Sequence, residues 1–100
     1  MKNKWIHFTH HAIKRLRERG ISKRLVISVL KRLTEIPHEE YIVLVTPSIL
    51  DRKFGVDRLV DESLFIVAEC NCVITCFFCP NEPNALRFSK HKGKKIYVVS

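Results

Sequence analysis

The chain changes texture at Pro37, and that change limits what it can fold into. Before Pro37 the apolar residues recur at helical spacing, and after it they come in short β-branched runs. Leu25, Val26, Val29, Leu30 and Leu33 form one helical stripe, which predicts a helix over 23–34 with Ser22 as its cap. A shorter helix is expected over 10–19. Thr9 is placed to cap it, and Gly20 suits the left-handed position that ends it. Beyond Pro37, YIVLVT (41–46) reads as a strand and Pro47-Ser48 as a turn. Residues 52–60 read as a weaker strand bent at Gly55, and Asp61-Glu62-Ser63 as a second turn. Residues 64–69 and 73–78 read as a hairpin around Cys70-Asn71-Cys72, 80–83 as a loop, and 94–99 as a last strand. A run of helices followed by a run of strands indicates an α+β fold. The expectation is two N-terminal helices packed on one face of a mainly antiparallel sheet of four to five strands. Leu16, Val26, Leu30, Ile66 and Ile74 are its expected core. With 100 residues and 46% hydrophobic content, the chain suits one globular domain, 1–100.

Charge is distributed unevenly. Residues 1–34 carry ten Lys/Arg and one Glu, residues 35–69 three Lys/Arg and eight Asp/Glu, and residues 70–100 five Lys/Arg and one Glu. The net charge is +8. Like charges at helical spacing repel one another, so a cation-loaded first helix points to a polyanionic partner. RNA is the first candidate and DNA the second. The competing reading is a basic surface that serves solubility alone. No apolar run approaches the ~20 residues of a membrane span, and the opening MKNKWIHF lacks the apolar core of a secretory signal. A cytoplasmic protein with no membrane partner is therefore the expectation.

Four cysteines lie at 70, 72, 76 and 79. Their crowding into a strand-like stretch argues against a zinc site, whose ligand pairs are usually set further apart. Strand alternation places Cys72 and Cys76 on one face and Cys79 on the other. Buried free thiols are the expected state, with a disulfide near the 70–72 bend as the alternative. Neither a metal nor another cofactor is expected.

On a wheel of ~100° per residue, Ala12, Ile13 and Leu16 face the core. His11, Arg15 and Arg19 form a row beside them, with Glu18 between the two arginines. Histidine exchanges protons near neutral pH, and arginines neutralise phosphate, so this row has the parts for phosphodiester chemistry. The competing reading is a structural ion-pair network with the acidic middle segment. His10, Lys14 and Arg17 point to solvent. Further candidates lie in the second half: Arg52, Lys53, Arg58, Thr75, Arg87, Lys90, His91 and Tyr97. Thr75, embedded in a strand, and His91, a second proton-transfer group, are favoured among them. Trp5, Phe8 and Phe88 are candidates for base stacking, although core packing explains isolated aromatics more often.

The segment HAIKRLRERGIS resembles the opening of a small family of domains found in prokaryotes and their mobile elements. The family pattern is H-A-x-x-R-L/M-x-E-R-G-I-S/T, matched here by His11, Ala12, Arg15, Leu16, Glu18, Arg19, Gly20, Ile21 and Ser22. Val73-Ile74-Thr75 is similar to a later family feature, an apolar strand with an embedded Thr. The acidic middle and the cysteines lie outside the pattern. The family is grouped by similarity with the RelE, barnase and colicin-nuclease class of ribonuclease toxins. The resemblance implies a RelE/barnase-like fold and a metal-independent endoribonuclease that attacks phosphorus with the RNA 2′-OH. It also implies an acidic antitoxin as a protein partner. His11, Arg15, Arg19, Thr75 and His91 are the catalytic candidates. Lys14, Arg17, Lys23, Arg24, Arg87 and Lys90 are the candidates for binding nucleic acid. The alternative is a nucleic-acid-binding protein without catalysis, in which two helices joined by RGIS act as a helix-turn-helix. Ser28, Lys31 and Arg32 are a thin set for reading a groove in that way.

Overall fold

The computed structural model describes residues 6–55, 62–79 and 95–99. Its elements run β1 (His7–Phe8), α1 (His10–Arg19), α2 (Lys23–Leu30), β2 (Glu40–Val45), α3 (Pro47–Phe54), β3 (Ser63–Glu69), β4 (Cys72–Cys79) and β5 (Lys95–Val99). The five strands form one sheet in the order β1-β4-β3-β2-β5. Among the described residues the fold is α+β, with three helices rather than two and with a mixed sheet. β2, β3 and β4 are antiparallel neighbours, whereas both edge strands run parallel to theirs, β1 to β4 and β5 to β2.

Two expected elements are corrected. The turn at Pro47-Ser48 and the first part of the strand over 52–60 are instead α3. Pro47 sits in its first turn, where its missing N–H costs nothing, and Gly55 closes it at φ 67°. The remainder of that expected strand, from residue 56, lies outside the described residues, as does the 80–83 loop. The second helix ends at Leu30 instead of Thr34.

Local chemistry accounts for α1 and α2. Thr9 Oγ1 accepts the Ala12 N–H at 3.0 Å, and Ser22 Oγ accepts the Leu25 N–H at 3.1 Å. Gly20 takes φ 65°, which lets the Ile21 N–H reach the Leu16 carbonyl at 2.9 Å and turns the chain sharply between the helices. All three helices lie on one face of the sheet. Ala12 and Leu16 from α1, Val26, Val29 and Leu30 from α2, and Leu50 from α3 join Tyr41, Val43, Val45, Leu64, Ile66, Ala68, Val73, Cys76 and Val99 in one core. Ile42, Leu44, Phe65 and Val67 form a second buried cluster on the other face, where Phe65 and Phe77 stack at 5.2 Å. Of the five expected core residues, Leu16, Val26, Leu30 and Ile66 are buried in the main core. Ile74 is half-buried and packs on the second face.

One irregularity in β4 decides where its later side chains point. Ala68 pairs with Val73 but Val67 pairs with Thr75, so β4 holds an extra residue, Ile74, at a bulge. Val73 faces the helices. Uninterrupted alternation would carry Thr75 to the same side. The extra residue reverses the parity, so that Thr75, opposite Val67, points to the far face and Cys76 turns inward under the helices. The expectation that Cys72 and Cys76 share a face fails for the same reason. The bulge is tied to α1. The Thr9 N–H donates to the Val73 carbonyl at 3.0 Å, and the Thr9 hydroxyl donates to the Ile74 carbonyl at 3.0 Å.

Candidate nucleic-acid interface

α1 buries Ala12 and Leu16 and turns its other side outward. His11, Lys14, Arg17, Glu18 and Arg19 are exposed, and the Arg15 side chain keeps 40% of its accessible surface. His11, Arg15 and Arg19 stand one helical turn apart, a row about 12 Å long at ~1.5 Å per residue. Arg15 Nη1 donates to Glu18 Oε1 at 3.0 Å. Both partners are solvated, so the pair contributes little stability, but it restricts where the guanidinium rests. The Arg19 charge acts on Cys76, which lies on the inner face of β4. Burial pushes that thiol up to about 11, against a smaller downward pull from Arg19. Cys76 is therefore a protonated core thiol at neutral pH, not a nucleophile.

The cationic surface continues into α2. Lys23 and Arg24 are exposed in its first turn, and the Lys23 ammonium stands 5.6 Å from the centre of the Phe8 ring. Arg32, past the end of α2, lies 5.2 Å from the centre of the Phe54 ring. Between residues 10 and 30 there are six Lys/Arg and one acid, Glu18.

The expected catalytic set is not brought together among the described residues. Thr75 lies on the far side of the sheet from α1, because of the bulge. His91 lies outside the described residues, as do Arg87, Lys90, Arg58, Trp5 and Phe88. Arg52 and Lys53 are exposed on α3, and Tyr97 packs edge-on against Tyr41 in the core with ring centres 5.9 Å apart. Cys70, Cys72 and Cys76 are free thiols. No three His, Cys, Asp or Glu side chains among the described residues are grouped to hold a metal ion. No helix among them is long and apolar enough to cross a membrane.

A groove of about 290 Å³ lies beyond the C-terminal end of α1. It is walled by the Gly20-Ile21 turn, by Ser22, Arg24, Leu25 and Ser28, and by the Phe54 and Phe78 rings. His11, Arg15 and Thr75 do not line it. Sequence reasoning does not reveal Phe54 and Phe78 as wall residues. Phe54 is hidden because its segment reads as a strand, although TPSILDRKFG carries a helix signature of Pro near the start and Gly just past the end.

Comparison of the chain with protein-family models, with curated proteins and with solved structures finds no match.

Proposed function

We propose that this protein binds RNA through the exposed cationic face of α1 and the first turn of α2. The observation that carries the reading is how the HAIKRLRERGIS segment divides. Ala12, Leu16 and Ile21 are buried, Gly20 supplies the left-handed turn, and Ser22 caps α2. Folding accounts for these five. It does not require His11, Arg15, Glu18 and Arg19, which reach solvent as one row with Lys14 and Arg17 beside them. Cations held on a rigid helix, with a single acid among them, suit a row of phosphates. Displaced counterions supply the free energy. Filter binding or fluorescence anisotropy with single-stranded RNA tests the reading. Affinity should fall linearly with salt on logarithmic axes, and Arg15→Glu should weaken binding and flatten that slope. Absence of RNA and DNA binding at low salt would reject it.

The same four residues favour a second reading, the metal-independent endoribonuclease of toxin type with a RelE/barnase-like fold that the resemblance implies. In that scheme a base takes the 2′-OH proton and the 2′-oxygen attacks the adjacent phosphorus. The bond to the 5′-oxygen breaks, and that oxygen takes a proton. The product is a 2′,3′-cyclic phosphate. His11 would transfer one of those protons, while Arg15 and Arg19 would neutralise the charge growing on phosphorus. An acidic antitoxin covering the α1 face would be the protein partner. RNA should then be cut in excess EDTA, and a 2′-O-methyl substrate should survive. Binding without cleavage leaves the first reading alone.

A further inference from the structure

We infer that the groove between the α1–α2 turn, α3 and β4 holds one unstacked base of a single-stranded RNA whose phosphates lie along α1 and α2. The inference rests on the RNA-binding reading and adds a base subsite to it. Two phenyl rings, Phe54 from α3 and Phe78 from β4, form the apolar part of the wall together with Ile21 and Leu25. Both rings pack against the main core, so their positions are set by the fold. Arg24 and Ser28 from α2, with Ser22 at its cap, form the polar part. The Ser22 oxygen already accepts from the Leu25 N–H, which leaves its own hydroxyl proton for a base oxygen or nitrogen.

Size and charge select the occupant. A groove of about 290 Å³ falls at the lower end of the ~300–1,000 Å³ of small-molecule sites. It takes a single ring system rather than a helix or a strand of a protein partner. The two planar rings in that wall favour a flat ring, because base–aromatic stacking needs only a π-face. Among the described residues no carboxylate lines the groove, and Arg24 does. Arg32 adds a second cation at the Phe54 ring, and Lys23 precedes Arg24 in the same helical turn. A free neutral ring would use the walls but not these cations. A base attached to a phosphodiester uses both. The groove also adjoins Gly20, directly after Arg19, so one strand can run from the α1 row into it without leaving the surface.

The test is a fluorescence-anisotropy titration of a short single-stranded RNA and of the same backbone carrying abasic sites. The proteins are the wild type, Phe54→Leu, Phe78→Leu and Ser28→Leu, with circular dichroism to confirm folding. Wild type should prefer the RNA with bases by about tenfold to a hundredfold, the scale of one stacked base. Each leucine variant should lose most of that preference and keep the salt slope, because stacking releases no counterions. Ser28→Leu fills the groove and leaves both rings in place, so the inference stays testable if a phenylalanine variant fails to fold. Equal binding of the two RNAs by wild type, or an undiminished preference in the folded variants, would overturn the base subsite and leave RNA binding standing. Failure of wild type to bind either RNA would overturn both.

Discussion

Thr9 joins the bulge of β4 to the start of α1, and its removal has a calculable cost. Its hydroxyl accepts the Ala12 N–H and donates to the Ile74 carbonyl, both at 3.0 Å. Thr9→Ala removes an N-cap worth ~1 kcal/mol. It also strips a partly buried carbonyl of its donor, a further ~1–2 kcal/mol if no water replaces it. The sum is about 2–3 kcal/mol. For a domain of this size ~1 kcal/mol moves the melting temperature by roughly 4–8 °C, so the variant should melt roughly 10–20 °C lower. Thr9→Val keeps the shape and loses the same bonds, so it should cost about as much. Thr9→Ser keeps the hydroxyl and should cost ~1 kcal/mol or less, the loss of one methyl group. The assay is urea unfolding followed by circular dichroism, with amide exchange at Ala12 reporting the first turn of α1. A loss below about 0.5 kcal/mol in Thr9→Ala, or a Thr9→Ser variant as damaged as Thr9→Ala, would show that the two hydroxyl bonds of Thr9 do not carry this stability.

Three other outcomes are expected. Under the ribonuclease reading, His11→Ala should slow cleavage by about two orders of magnitude or more, measured with a fluorogenic RNA in EDTA, while full activity would remove His11 from the scheme. Cys70 holds φ 54° in the hairpin turn, where a side chain costs ~1–2 kcal/mol. Cys70→Gly should therefore stabilise the protein by about 0.5–1 kcal/mol in urea unfolding, after the larger chain entropy of glycine is subtracted. Burial chiefly, helped by nearby Cys70 and Tyr97, pushes the Tyr41 hydroxyl up to about 12, and it donates to the Cys70 carbonyl at 2.8 Å. The folded state thus keeps a proton that the unfolded chain loses from about pH 10. Stability from this group should be intact below that pH and fall as pH rises toward 12, and Tyr41→Phe should flatten that fall.

Much of the helical half is legible in the sequence because capping and turn chemistry are local. Thr9, Gly20 and Ser22 are recognisable within a few residues, and the row His11, Arg15, Arg19 follows from the ~3.6 residues of a helical turn. α3 is legible in principle, but Pro47-Ser48 resembles a turn when read without Gly55. The sheet is less so. Parallel pairing of β1 with β4 and of β5 with β2 joins residues far apart in sequence, and β1 has only two residues to announce it. The bulge at Ile74 has no local marker, since VIT contains neither Gly nor Pro. Yet that one residue reverses parity and carries Thr75 away from α1. The groove shares this obscurity, because its Phe54 and Phe78 walls meet α2 only through tertiary packing.

On the RNA-binding reading, RNA engages a place on the surface, not the net charge. A charge-matched pair of variants tests it. Arg15→Glu alters the row on α1, and Lys95→Glu makes the same change at an exposed position on the edge strand β5, at the opposite end of the sheet order from the β1–β4 edge. The measurement is the affinity for single-stranded RNA across a salt series. Arg15→Glu should weaken binding at low salt and reduce the slope by about 0.7 for each phosphate that is no longer neutralised, while Lys95→Glu should remain close to wild type. Equal weakening in the two variants would contradict the claim, because it would show a protein attracting RNA through its total charge alone.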